Sequence, residues 1–313
     1  MHISYNTTFI KKSIKALPFA ILIYILYDLM VNSDLYFSFD FLLDQDWSIA
    51  RLLLFIPVFL LMILNWLLEA KKWQLLTNTY SVLSIKKAFI SVLSGVSTAL
   101  FTPNRIGDFI GRISHLPKEA RKKGIVSSVY GSFSQWLLTI IMGWVAWIQL
   151  GDQFVSSDAI FHSISTVYLL GIIVLLFLFL GKGEWLSYFK KLTKYKAFRP
   201  SSNIKVKIIL LSLFRYFVFT TQFYLLLHIM GVDLSYALVL SKLGLFYLLT
   251  SLVPSTFWGE IGVKESVAVW VFSGLIINSL IVVSATLLLW LINLIIPALA
   301  GNYFLFKKVN KAS

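Results

Sequence analysis

The sequence predicts an all-α polytopic membrane protein. Six full transmembrane helices are expected, with two oppositely oriented re-entrant helical hairpins related as an inverted repeat. Three observations lead there. The 313 residues are 58% hydrophobic and 13% charged, with mean hydropathy +0.81; a soluble domain is nearer half apolar and a quarter charged. Apolar runs of about 20 residues, the length that crosses a bilayer, recur along the chain. Basic residues gather in alternate connections, as they do when one side faces the cytoplasm. The whole chain, 1–313, reads as a single integral membrane domain with no room for a sizeable soluble one.

The first span is expected at about residues 16–31, behind Lys11, Lys12 and Lys15. No small-residue cleavage site follows it, which favours an uncleaved helix over a signal peptide. The second span falls at about 50–68. The next apolar run, about 88–101, has 14 residues, too few to cross. It breaks at Thr102, Pro103 and Asn104, then continues to about 116 through Asp108 and Arg112. Full spans follow at about 125–150, 159–180 and 206–230. A second broken segment covers about 236–273 and turns near Pro254. The last span occupies about 278–306. Pro57 and Pro297 are expected to kink their helices.

Charge sets the orientation. Lys11, Lys12 and Lys15 lie on one side. With them fall Lys71, Lys72, Lys86 and Lys87, then Lys118, Arg121, Lys122 and Lys123. The next long loop adds Lys182, Lys190, Lys191, Lys194, Lys196, Arg199, Lys205 and Lys207, and Lys307, Lys308 and Lys311 end the chain. These make 22 of the 28 basic residues. The opposite loops hold Asp34, Asp40, Asp44, Asp46, Asp152, Asp158 and Asp233, with Arg51 their one base. The basic side reads as cytoplasmic, and topology accounts for the net charge of +14 without a nucleic-acid partner. Bases flank the 88–116 segment at both ends, so it enters from the cytoplasm and returns there. The 236–273 segment enters from outside and returns outside, and both termini fall inside. With no cysteine, and with His2, His115, His162 and His228 scattered, neither metal nor cofactor is expected.

The two turns are alike. The first reads TPNRIGDFIGR and the second VPSTFWGEIGVK. In each, a proline precedes a glycine (Gly107, Gly259), an acid follows at once (Asp108, Glu260), and a base stands four residues later (Arg112, Lys264). Residues at i and i+4 share a helix face, so each pair can neutralise itself. A second register, aligning Gly107 with Gly262, is also open. Broken hairpins in corresponding halves point to a substrate site at their tips near the membrane midplane. Irregular backbone at that depth must be buried in protein or line a wet cavity. A half-helix starting at Ile106 or Gly259 would aim its positive N-terminus there, which suits an anion such as phosphate.

The bases at depth are Arg105, Arg112, Arg215, Lys242 and Lys264, and the acids are Asp108, Glu260 and Glu265. A charge at mid-bilayer costs about 2.5 kcal/mol or more. Five bases against three acids predict a positively charged midplane cavity between the hairpins. Self-satisfied ion pairs that pin the hairpins account for Asp108–Arg112 and Glu260–Lys264. They account less well for Arg105 and Arg215, which have no acid near them in sequence. Arg105, Arg112, Arg215, Lys264 and Asn104 are therefore candidate ligands for an anionic group. Asp108, Glu260 and Glu265 are candidate coupling or ion-pair residues. Thr102, Pro103, Gly107, Pro254, Gly259 and Gly262 would shape the turns.

At these turns the chain resembles the flippase-like transmembrane domain of lysylphosphatidylglycerol synthases and its free-standing relatives. Their typical motifs are TP-G-G-L-G-E and P-x-x-x-G-x-G-x-R-E; here they read TPNRIGD (102–108) and PSTFWGEIGVKE (254–265). The resemblance covers about residues 10–308. Asn104 and Arg105 replace the usual glycine pair, making the first turn less permissive and more positive, and Lys264 replaces the usual arginine. The chain ends at Ser313 without the aminoacyl-transferase domain of the bifunctional members, so aminoacyl transfer is not expected. What the resemblance implies is flipping of an anionic or polar-headgroup lipid, or a lipid-linked precursor, across the bacterial cytoplasmic (inner) membrane. It carries over to Thr102, Pro103, Gly107, Asp108, Pro254, Gly262, Lys264 and Glu265. The chain has no P-loop, so an ion or lipid gradient would drive such a step, and no enzymatic activity is expected. The implied partners are membrane lipids, with a homo-oligomer or an envelope-biogenesis protein also compatible. Two other readings stay open. One is a membrane enzyme acting on polyprenyl-phosphate lipids through Asp34 and Asp40, and the other is a small-solute or ion transporter.

Overall fold

The computed structural model describes residues 48–100, 102, 105–153, 155, 157–181, 199–252, 257–276 and 278–310, and among these every regular element is a helix. The expected first span, Asp34, Asp40, Pro103, Asn104 and Pro254 lie outside the described residues. Five described helices are long and apolar enough to cross a membrane: Ile49–Thr77, Lys118–Leu150, Asp158–Leu180, Ser202–Ile229 and Ser279–Lys307. The protein is a multi-pass membrane protein.

The first crossing consists of α1 (Ile49–Leu53) and α2 (Phe55–Thr77). Pro57 has no N–H to give the carbonyl of Leu53, and the chain steps at Leu54 between them. α2 continues to Thr77, well past the expected end near 68. Lys71 and Lys72 read as a basic loop in sequence, but both are helical, and Lys72 is buried at 1% exposure. The reason is Glu69, one turn earlier on the same face, which offsets the lysine's charge.

A helical hairpin follows, α3 (Ile85–Ala99) and α4 (Gly107–Ile113), with Ser84 capping α3. A 3-10 turn at Lys118–Ala120 leads into α5 (Arg121–Leu150), and then α6 (Asp158–Leu180). Next come α7 (Ser202–Ile229), capped by Ser201, and the second hairpin, α8 (Tyr236–Leu252) with α9 (Phe257–Phe272). Lys205, which reads as loop charge, is inside α7; its ammonium donates to the carbonyls of Leu180 and Gly181, closing the C-terminus of α6.

The last crossing is α10 (Ser279–Trp290), a π-helical turn (Leu291–Ile295) and α11 (Ile296–Asn310). Pro297 cannot donate to the Asn293 carbonyl. That carbonyl instead accepts the indole N–H of Trp66 at 3.2 Å. The proline thus acts through a widened turn whose freed acceptor is met by a neighbouring helix.

α2 and α7 pack side by side. Around them the hairpins exchange partners: α3 packs on α11, the span after the second hairpin, and α8 packs on α5, the span after the first. Glycine makes both crossings close. A side chain at Gly301 would collide with the backbone of Leu93, and one at Gly244 with the Met142 carbonyl.

Candidate functional site

The site begins as a polar stripe on an otherwise apolar helix. Asn65, Glu69 and Lys72 recur on α2 at spacings of four and three, so they share one face. All three are buried, Glu69 to 4% exposure. A carboxylate placed there needs partners from other helices.

The first partner comes from α4, and small residues let it approach. A side chain at Gly111 would meet the Ser94 carbonyl, and one at Gly107 the Thr98 carbonyl. With no side chain there, hydroxyls bridge the pair. Ser91 Oγ donates to the Arg112 carbonyl at 2.7 Å, and Thr98 Oγ1 to the Gly107 carbonyl at 2.6 Å. Ser94 Oγ lies 2.8 Å from His115 Nε2. α4 held in this way delivers Arg112, 8% exposed, to Glu69: Nη1 donates to Oε1 at 2.7 Å. The Arg112 Nε is occupied by Asp108 at 2.9 Å, and its guanidinium lies 5.9 Å from the Trp73 ring centre.

The second partner is Arg215, about 20 Å along α7 from Ser202 at 1.5 Å per residue. Its Nη1 donates to Glu69 Oε2, and its Nε to Asn65 Oδ1 at 3.0 Å. Gln135 of α5 accepts from it at 3.4 Å, and the Trp66 ring lies 5.7 Å away. The third is Lys72, whose Nζ donates to Glu69 Oε2 at 2.9 Å and to Ser212 Oγ at 3.2 Å; Ser212 in turn meets Ser134 at 2.9 Å. Asn65 Nδ2 donates to Asn293 Oδ1 at 3.4 Å, joining the cluster to the π-helical turn.

Three cations, Lys72, Arg112 and Arg215, therefore face two carboxylates, Glu69 and Asp108, leaving one positive charge in excess. Guanidinium edges that converge on one point are the geometry of oxyanion recognition.

The structure brings together Asp108, Arg112 and Arg215 from among the residues singled out in sequence. Glu69 and Lys72 were missed. Their spacing with Asn65 on an apolar helix was the available signal, since an ionisable residue within a span marks a site by default. Arg105 is elsewhere, exposed, with φ of 56° in the left-handed region. The Gly107 N–H, expected to be open to an anion, is taken by Thr102 Oγ1 at 2.7 Å. Lys264 and Glu265 are half-buried on α9, and Lys242 is buried on α8. Gly259, Glu260 and Gly262 lie within α9, which starts at Phe257 rather than Gly259.

Comparison with curated proteins and with solved structures gives no match. Comparison with family models matches residues 36–301 to the lysylphosphatidylglycerol synthase TM region. That match takes in the stripe on α2, both hairpins and Arg215, and covers far more than half of the chain. The protein belongs to the lysylphosphatidylglycerol synthase TM region family, as the motifs at its two turns led one to expect.

Proposed function

We propose that this protein translocates a lipid with an anionic or polar head group across the bacterial cytoplasmic membrane, and that the Glu69 cluster is the polar station on the path. One observation carries the reading. Arg112 and Arg215, from two different helices that both follow α2 in the sequence, meet at one buried carboxylate in a cluster with positive charge to spare. Such a group is expensive at membrane depth and is kept where ions or polar substrates pass. The family's description, which names the membrane region of a phospholipid synthase, points to lipid as the cargo.

In this reading both hairpins are re-entrant and the chain is an inverted repeat. The partner exchange of α3 with α11 and α8 with α5 supports it. Both termini are cytoplasmic, on the side of the basic loops. Glu69 then lies about 12 Å from the cytoplasmic end of α2, eight residues at 1.5 Å each. No bond is made or broken: the protein is a transporter rather than an enzyme, and its partners are membrane lipids.

The test is reconstitution of the full chain into vesicles containing phosphatidylglycerol with a labelled head group. The measurement is the rate at which label moves between leaflets. Transport should be lost in the Arg112→Ala, Arg215→Ala double variant. A rate equal to that of protein-free vesicles, or one undiminished in the double variant, would sink the proposal.

A further inference from the structure

The cations around Glu69 are held in place by groups other than Glu69. Arg112 has its Nε on Asp108 at 2.9 Å and its face toward Trp73. Arg215 has its Nε on Asn65 at 3.0 Å and its face toward Trp66. Lys72 donates to Ser212 at 3.2 Å. Each is anchored from behind, and the remaining donors point at a single spot. The occupant of that spot is a side-chain carboxylate, with Arg112 on Oε1 and Lys72 and Arg215 on Oε2. Buried guanidinium and ammonium N–H groups need partners in any case; these partners also leave the donors in place when the anion they face is exchanged, as a site for a diffusing oxyanion requires.

We infer that Glu69 is an internal competitor, a tethered anion that fills an oxyanion site at rest and that a phosphodiester displaces from Arg112 and Arg215. The inference rests on the translocation reading and names the group recognised there. The displaced Glu69 keeps Lys72, one turn away on its own helix, and a phosphodiester's single negative charge neutralises the one positive charge that the cluster has in excess. The phosphodiester's two unesterified oxygens match the two guanidinium edges that Oε1 and Oε2 now take. Glu69 thereby sets specificity: a head group without a phosphate has nothing to offer in exchange.

The test compares wild type with Glu69→Gln as purified full-length chains. Phosphatidylglycerol, diacylglycerol or inorganic phosphate is titrated, and binding is followed through thermal unfolding. Glu69→Gln is expected to unfold at lower temperature when no anion is added. It should then bind phosphatidylglycerol about tenfold more tightly than wild type, one decade for each 1.4 kcal/mol of competition removed. Diacylglycerol should shift neither protein. Tightening toward phosphatidylglycerol alone supports displacement by a lipid phosphate, and tightening toward inorganic phosphate as well supports displacement by a soluble one. Unchanged or weaker phosphatidylglycerol binding by Glu69→Gln overturns the inference. If that variant does not fold, Glu69→Asp, one methylene too short to hold both arginines, replaces it with the same expected direction and the same overturning result. Vesicle transport by wild type separates the two claims. Wild type that flips lipid while the variants bind no tighter sinks the inference alone. Wild type that flips nothing sinks the translocation reading whatever the variants bind.

Discussion

The two helical hairpins share a turn motif and are held by opposite means. The α3–α4 hairpin is built from Gly95, Gly107 and Gly111 and from the hydroxyls of Ser91, Ser94 and Thr98. The α8–α9 hairpin is set against α7 by aromatic bulk: Phe223 lies 6.1 Å from Phe246 and 5.8 Å from Phe272, ring centre to ring centre. The difference follows from the cargo of each. α4 carries Asp108 and Arg112 to a buried carboxylate, so its backbone must come close and its polar groups must be met. Small residues and hydroxyls do both where water is excluded. α8 and α9 bury Phe246 and Phe272 against α7, where shape and ring contact hold them. The first hairpin places charge at Glu69, and the second meets α7 through aromatic rings.

The strongest way to break this contrast is Glu69→Ala. It strands Lys72, Arg112 and Arg215 without their shared counter-ion, and a loss of about 3–5 kcal/mol is expected by thermal or denaturant unfolding in detergent. A loss under about 1 kcal/mol would mean that the cluster does not tie α4 to α2. Phe223→Ala should cost about 3 kcal/mol through the cavity it leaves between α7 and the second hairpin. Labelling of Ser94→Cys should proceed at the same rate with Phe223→Ala as with Phe223 intact. A change in it would show that the two hairpins do not move independently.

Smaller changes sharpen the comparison. Gly111→Ala pushes a methyl group into the Ser94 carbonyl and should cost about 1–3 kcal/mol. Gly171→Ala on α6, where nothing lies within 4 Å, should be neutral or gain a few tenths from helix propensity. Equal unfolding temperatures for these two alanine variants would remove the case for close approach in the first hairpin. A gain is also expected at the first turn. Arg105 holds φ at 56°, and Arg105→Gly relieves a left-handed backbone worth about 1 kcal/mol. A stability gain, read by the same unfolding experiment, is expected; a loss would show that the arginine's side chain outweighs its strained backbone.

Much of this was visible before any coordinates. The motif at 102–112 marked the acid and base that do pair, and the family match agrees with the resemblance carried by both turns. The end of α2 was misread because Lys71 and Lys72 look like a loop when their neighbour Glu69 is left out. Arg215 seemed to lack an acid because its acid is 146 positions away. Pro297 suggested a kink, but the use of its freed carbonyl by Trp66 of another helix had no trace in the local pattern.

The sequence alone determined the class of the protein and the positions of most helices. Each of these is local: a helix in lipid satisfies its own backbone hydrogen bonds, so apolar length and a proline break decide where it runs. Only the tertiary structure decided which charges meet between helices. Glu69 joins Arg112 across 43 positions and Arg215 across 146, and the attraction that binds them depends on distance in space and on the exclusion of water, neither of which is written in residue order.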